Sequence, residues 1–201
     1  MPIVLASGSA TRARLLKSAG VAFEIRPPQV DEDAVKAALR AENAGARRIA
    51  DALAERKALK IAQSHPDALA DALVIGSDQV LAFGGELVSK CESMAEARAL
   101  LMRLRGKKHE LISAVVLAKA GQPVWRHVES ASLWMTDFSD MFLDDYLASE
   151  GEDLLAGVGC YRIEGKGLQL FSRIDGDYFC VLGLPMLPLL SALRNRGALA
   201  K

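Results

Sequence analysis

The sequence predicts a mixed α/β fold, on three observations. Short apolar runs alternate with longer stretches whose apolar residues recur at helical spacing. Strand-like runs in the middle of the chain are separated only by Gly84-Gly85 and by Gly121-Gln122-Pro123, which reads as hairpins. No internal repeat, low-complexity tract or linker interrupts the 201 residues, a length that suits one substantial domain or two small lobes. Because of the hairpins, a regular doubly wound strand–helix–strand fold fits poorly.

Ile3-Val4-Leu5-Ala6 is an apolar run and predicts a short buried strand. Thr11 to Ala19 follows as a helix with Leu15, Leu16 and Ala19 on one face, and Gly20 is its stop. Val21 to Arg26 alternates as a strand does and halts at Pro27-Pro28. Asp31 to Glu42 and Ala46 to Gln63 are rich in Ala, Leu, Arg and Lys and predict two helices, broken at Asn43-Ala44-Gly45. Ala72 to Gly76 predicts an apolar strand that delivers Ser77-Asp78 at its end. Val80 to Phe83 and Leu87 to Lys90 form the first hairpin. Ser93-Met94-Ala95-Glu96 is a capping box opening a helix that ends at Gly106. Leu111 to Lys119 and Val124 to Met135 form the second hairpin, and Phe142 to Ser149 is a short helix closed by Gly151. Gly157 to Phe171 is glycine-rich, and a helix from Pro185 to Arg196 follows.

Composition narrows the function classes. Twenty-five basic residues balance twenty-five acidic ones, which argues against a general nucleic-acid binder but not against a small anion held by a few local cations. No stretch reaches the roughly 18 apolar residues of a membrane span. The best candidate, Val181 to Leu193, is broken by Pro185 and Pro188. Met1-Pro2-Ile3-Val4 lacks the basic region of a signal peptide, and three widely spaced cysteines (Cys91, Cys160 and Cys180) fit neither a disulfide framework nor a metal knuckle. The expectation is a reduced, cytoplasmic protein.

Several residues carry the means for chemistry. Ser7-Gly8-Ser9 joins a strand to a helix whose first turn holds Thr11 and Arg12. Free N–H groups at a helix start, small residues, hydroxyls and a forked guanidinium together suit a phosphate, whereas the plainer reading is that Ser9 caps the helix and Arg12 and Arg14 are solvated. Asp78 at the end of an apolar strand is poorly placed for packing and well placed for a site. Asp31-Glu32-Asp33 offers further hard oxygen donors for a divalent cation, or simply complements the start of the next helix. On pattern alone Lys57 and Lys90 read as surface residues. His65, His109 and His127 lack metal-ligand spacing and read as core or loop residues. Trp125 and Trp134 read as core.

Seven stretches, taken in order, resemble the Maf (septum-formation inhibitor-like) family of nucleotide pyrophosphatases: "LASGSATRARLL", "VDEDA", "LAERKA", "VIGSDQVLAFGGELVSK", "EARALLMRLRGKKHEL", "AGVGCYRIEGKG" and "IDGDYFCVLGLP". The resemblance covers nearly the whole chain and implies a single Maf-like domain over residues 1–201. Its expected fold is a mixed sheet with flanking helices and two lobes around a nucleotide-binding cleft. It also implies a homodimer, while the charge balance and the lack of an apolar span argue against nucleic-acid and membrane partners. The implied reaction hydrolyses a nucleoside triphosphate to a monophosphate and pyrophosphate, with a divalent metal such as magnesium or manganese.

Under that resemblance Ser7, Gly8, Ser9 and Arg12 receive the triphosphate. Asp78 orients or deprotonates water or ligates the metal, and Glu32 is the second metal carboxylate. Lys57 and Lys90, with Arg12, neutralise charge on the phosphates. Three further positions follow base preference. Thr11, Gln79 and Glu164 stand where one family group, acting on dTTP and UTP, has Arg, Thr and Gln, and another, acting on 7-methyl-GTP, has Trp, Gln and Glu. Gln79 and Glu164 match the second group, and a carboxylate suits the paired N–H donors of a guanine edge. Two departures are Cys91, where the family has proline, and the separation of Arg12 from Arg14 by Ala13. A non-catalytic nucleotide-binding regulator and a cell-division partner protein are the rival readings.

Overall fold

The computed structural model describes residues 1–64 and 66–200; His65 lies outside the described residues. Seven strands form one mixed sheet in the order β2-β1-β3-β5-β6-β7, with β4 paired to β3 off that path. The strands are β1 (Ile3–Ala6), β2 (Glu24–Ile25), β3 (Leu73–Phe83), β4 (Glu86–Val88), β5 (Lys108–Lys119), β6 (Gln122–Met135) and β7 (Phe171–Asp175). The helices are α1 (Ala10–Ser18), α2 (Glu32–Ala41), α3 (Ala46–Ser64), α4 (Met94–Leu104), α5 (Asp140–Glu150), α6 (Tyr178–Val181) and α7 (Met186–Asn195). The chain divides into two compact units, one of Met1–Gln79, Ile112–Ser130 and Asp177–Lys201, the other of Val80–Leu111 and Ala131–Gly176. Strands β3, β5 and β6 contribute residues to both.

In the first unit, β1 is apolar throughout because it is buried between two neighbours. It pairs in parallel with β2 on one side and with Ile3–Ala6 facing Leu73–Gly76 of β3 on the other. Leu16 of α1 and Met186, Leu189 and Leu193 of α7 pack on Leu5, Ile75, Val115 and Leu117 of the sheet. Helix α3 buries Ile49, Leu53, Ala54, Ala58 and Ile61. It sits so close to β3 that a Cβ on Gly76 would lie 2.2 Å from the Ala54 carbonyl oxygen and 2.5 Å from the Ala58 nitrogen. Glycine is required there by the approach of helix backbone to strand backbone.

In the second unit, β3 turns into β4 through Gly84-Gly85 at φ 61° and 86°, the left-handed pair of a tight hairpin. Leu100, Leu101 and Leu104 of α4 and Leu143, Tyr146 and Leu147 of α5 are buried. The Tyr146 hydroxyl accepts from the Arg162 backbone N–H at 3.1 Å. The glycine-rich stretch forms no long element but the 3-10 turn Lys166–Leu170, preceded by another at Gly151–Ala156.

The structure departs from the sequence expectations at identifiable places. The two strands expected over residues 72–76 and 80–83 are one eleven-residue strand, so Asp78 stands inside β3, not at a strand end. That is tolerated because Ser77 and Asp78, though buried, are both hydrogen-bonded, and a paired polar group does not break a buried strand. The strand expected over residues 21–26 shrinks to Glu24–Ile25. Strand β7 and helix α6 were not expected; β7 pairs antiparallel with Ser132–Met135, far away in sequence. The second hairpin turns at Ala120-Gly121, at φ 47° and 74°, one step before the expected turn. Trp134 is half-buried rather than core, with Lys108 Nζ at 5.3 Å and Arg173 Cζ at 4.6 Å from its ring centroid.

Candidate active site

Alternation along β3 sorts its polar residues onto two faces. Asp78 meets α3, where Lys57 Nζ donates to its Oδ1 at 2.5 Å. Lys57 reaches there because it lies on the buried side of α3 with Ala54 and Ala58, the two residues pressed on Gly76. Ser77 faces the other way: its hydroxyl meets the carbonyl oxygens of Ala114 at 2.9 Å and Gly183 at 3.0 Å. Gln79 follows it onto that face and donates to the carbonyls of Cys180 and Val181.

Helix α2 supplies the second acid. Asp31 caps it by accepting from the Ala34 N–H at 2.9 Å, and Asp33 is exposed, so two of the three clustered acids serve the helix start. Glu32 does not: its Oε1 lies 2.7 Å from Lys57 Nζ, while Lys36 stands 3.7 Å from its Oε2. Lys57 is therefore a buried ammonium shared by two carboxylates, not the surface lysine its pattern suggests.

Arg12 closes the cluster from α1. Ser9 caps that helix, its Oγ accepting from the Arg12 N–H at 3.4 Å, and Ser7 Oγ accepts from the Ser9 N–H at 3.2 Å. The Arg12 guanidinium is anchored by Nε to the Gly183 carbonyl at 2.8 Å and by Nη1 to Ser77 O at 3.0 Å and Ser7 Oγ at 3.2 Å. Burial lowers its pKa, opposed by the charges of Asp78 and Glu32, and an arginine stays protonated under such a shift. Burial also raises the Asp78 pKa; Lys57 and Arg12 pull the other way without cancelling it. The result is a buried carboxylate more basic than an ordinary aspartate, held against two cations.

Arg12, Glu32, Lys57 and Asp78 thus come together, with Ser7 and Gln79 tied to the same framework. Thr11 is half-buried and Gly8 exposed in the first turn and preceding loop. Lys90 and Glu164 belong to the second unit, where both are exposed, Lys90 just after β4 and Glu164 inside the turn that Gly165 closes by donating to the Arg162 carbonyl at 3.4 Å. His109 is a buried core residue against Tyr161 and Phe171. His127 stacks on Trp125.

Asp78 and Glu32 aim oxygens at one point, where Lys57 Nζ now sits. Among the described residues no group of three or more His, Cys, Asp or Glu side chains could hold a metal ion. Two carboxylates nevertheless fit magnesium, which typically takes one or two from the protein and completes its shell with phosphate oxygens and water. Sequence reasoning missed Gly76, Ser77, Ser113 and Gly183. For Gly76 a signal existed, since a glycine inside an apolar strand marks close backbone approach.

Among the described residues no helix is long and apolar enough to cross a membrane. Residues 2–196 match the family model described as Maf-like protein. The chain is 54% identical over 198 residues, covering 98% of it and 97% of the relative, to a protein of Caulobacter vibrioides named nucleoside triphosphate pyrophosphatase. It is 50% identical over 199 residues, 99% of each chain, to one of the same name from Granulibacter bethesdensis. A Rhizobium meliloti protein named 7-methyl-GTP pyrophosphatase is 48% identical over 197 residues, 98% of this chain and 97% of that one. The match spans the segments carrying Arg12, Glu32, Lys57 and Asp78, and the chain belongs to the Maf-like protein family.

Proposed function

We propose that this protein hydrolyses nucleoside triphosphates between the α and β phosphates, releasing a nucleoside monophosphate and pyrophosphate, and that it prefers 7-methyl-GTP or a related guanine nucleotide. The observation that carries the reading is the buried Lys57 ammonium held between Asp78 and Glu32, with Arg12 anchored nearby. The names of the 54%- and 50%-identical relatives support the reaction class, and that of the 48%-identical relative supports the base.

In this mechanism Asp78 takes the proton of the attacking water. Burial raises its pKa, which makes this carboxylate a stronger base than an ordinary aspartate. Lys57 has three N–H donors; two point at Asp78 and Glu32, and the third is available to a phosphate oxygen. Arg12 spends Nε and Nη1 on the protein, which fixes its plane and leaves Nη2 for the phosphates. Fixed cations of this kind stabilise charge that grows in the transition state without having to reorganise. Lys90 adds a further cation, and Ser7, Gly8 and Ser9 receive the phosphate chain. A divalent cation held by Glu32 and Asp78 would neutralise phosphate charge. Gln79 and Glu164 read the base, with Thr11 in place of a stacking residue.

The test is to separate the products by ion exchange after incubation with 7-methyl-GTP. Monophosphate plus pyrophosphate is the expected pair, and diphosphate plus orthophosphate would overturn the assignment of the bond.

A further inference from the structure

Gln79 is held by its polarity. Its Nε2 has two hydrogens and three acceptors around it, the carbonyl oxygens of Cys180 at 3.0 Å and Val181 at 3.1 Å and Ser113 Oγ at 3.0 Å, so one hydrogen is shared between two of them. A carbonyl oxygen cannot donate, so turning the amide over would set Oε1 against two acceptors. Ser113 is fully buried, and its hydroxyl gives its one hydrogen to the Cys180 carbonyl at 2.8 Å. It can therefore only accept from Gln79. Oε1 is the end left over. Its neighbourhood is set by Gly183, where an added Cβ would lie 3.6 Å from Gln79 Oε1 and 3.5 Å from Arg12 Nη2. Gly183 thus lies beside both the amide oxygen and Arg12 Nη2, and has no side chain to cover either.

We propose that Ser113 is a positioning residue: with the Cys180 and Val181 carbonyls it fixes Gln79 as a hydrogen-bond acceptor, which selects nucleotides whose base offers a ring N–H. The inference rests on the nucleotide reading above and sharpens its substrate class. Guanine N1–H and uracil N3–H are donors to such an acceptor. Adenine N1 and cytosine N3 are bare acceptors and oppose it. The carboxamide would lose this discrimination if it could rotate, and Ser113 removes room for rotation by engaging both the amide and the carbonyl beside it.

A double-mutant cycle tests this, with pyrophosphate release from GTP, UTP, ATP and CTP as readout for the parent, Ser113→Ala, Gln79→Ala and the double variant. Ser113→Ala is expected to lower kcat/KM on GTP and UTP roughly 3- to 10-fold, the range of one lost hydrogen bond, through KM rather than kcat. In the Gln79→Ala background the same change is expected to cost nothing further, because Ser113 acts through Gln79. Equal losses in both backgrounds, or equal losses on all four nucleotides, would overturn the inference while leaving the hydrolase reading intact. A parent that releases pyrophosphate from none of them overturns both. If circular dichroism shows that Ser113→Ala does not fold, Ser113→Cys, whose thiol fills the site but hydrogen-bonds only weakly, completes the same cycle with a smaller expected loss.

Discussion

Lys57 Nζ stands 2.5 Å from Asp78 Oδ1, both side chains buried, although the residues belong to a helix and a strand and are 21 positions apart. A buried ion pair of this sort adds little net stability, because desolvating both charges offsets their attraction. Its value lies in what it does to Asp78. Activity that needs the Asp78 carboxylate rises with pH through the Asp78 pKa, and burial places that pKa above the ordinary aspartate range. Lys57→Met removes the nearest charge opposing the rise. The acid limb of the kcat/KM profile is expected to move to higher pH, with a stability loss of about 3 kcal/mol for the uncompensated partner. A pH profile and a urea midpoint check both.

Gly76 sets the distance between α3 and β3, and so the reach of Lys57. A methyl group there would lie 2.2 Å from the Ala54 carbonyl oxygen, which is backbone and cannot swing aside. Gly76→Ala is expected to cost at least about 2 kcal/mol, towards the upper end for overpacked cores, and to lower kcat by pushing the helix outward. Denaturant midpoint and turnover, measured together, check it.

His109 makes the fold acid-sensitive. Its pKa is lowered from 6.5 to about 4 by burial, its Nε2 lies 2.7 Å from the Tyr161 hydroxyl, and its Nδ1 is buried without a partner. A depressed folded pKa means that stability is whole above the unfolded value and is lost as pH falls through the window down to about 4. The loss amounts to about 3 kcal/mol. His109→Gln, which keeps a polar partner for Tyr161 and does not titrate there, is expected to flatten that dependence. Urea midpoints near neutrality and near the lower limit measure it.

Glu164 is the residue proposed to read the base. Glu164→Gln is expected to reduce activity on guanine nucleotides more than on UTP or dTTP, since an amide matches a uracil edge and a carboxylate the paired guanine donors. Equal losses on both classes would remove Glu164 from base reading.

What was legible in the sequence was local. Ile3–Ala6, helix α3 and the Gly84-Gly85 hairpin announce themselves through periodicity and turn chemistry within a few residues. The continuity of β3 through Ser77 and Asp78 was hidden, because the groups that satisfy those side chains lie 21 to 106 residues away. Strand β7 was hidden for the same reason: its exposed residues look like a loop until Ser132–Met135 is beside them. Pattern placed Lys57 on the surface, and only the resemblance to a family moved it to a site. The structure supplies the cause, the close contact of Ala54 and Ala58 with a strand glycine.

The most direct test of the central claim is pyrophosphate release by the parent and by Asp78→Asn from 7-methyl-GTP, GTP, UTP and dTTP, with magnesium or manganese and a chelated control. The expected result is release by the parent, preferentially from 7-methyl-GTP, and a loss of roughly 100-fold or more in the folded variant, the range for removing general-base help. Turnover by folded Asp78→Asn equal to the parent's would contradict it.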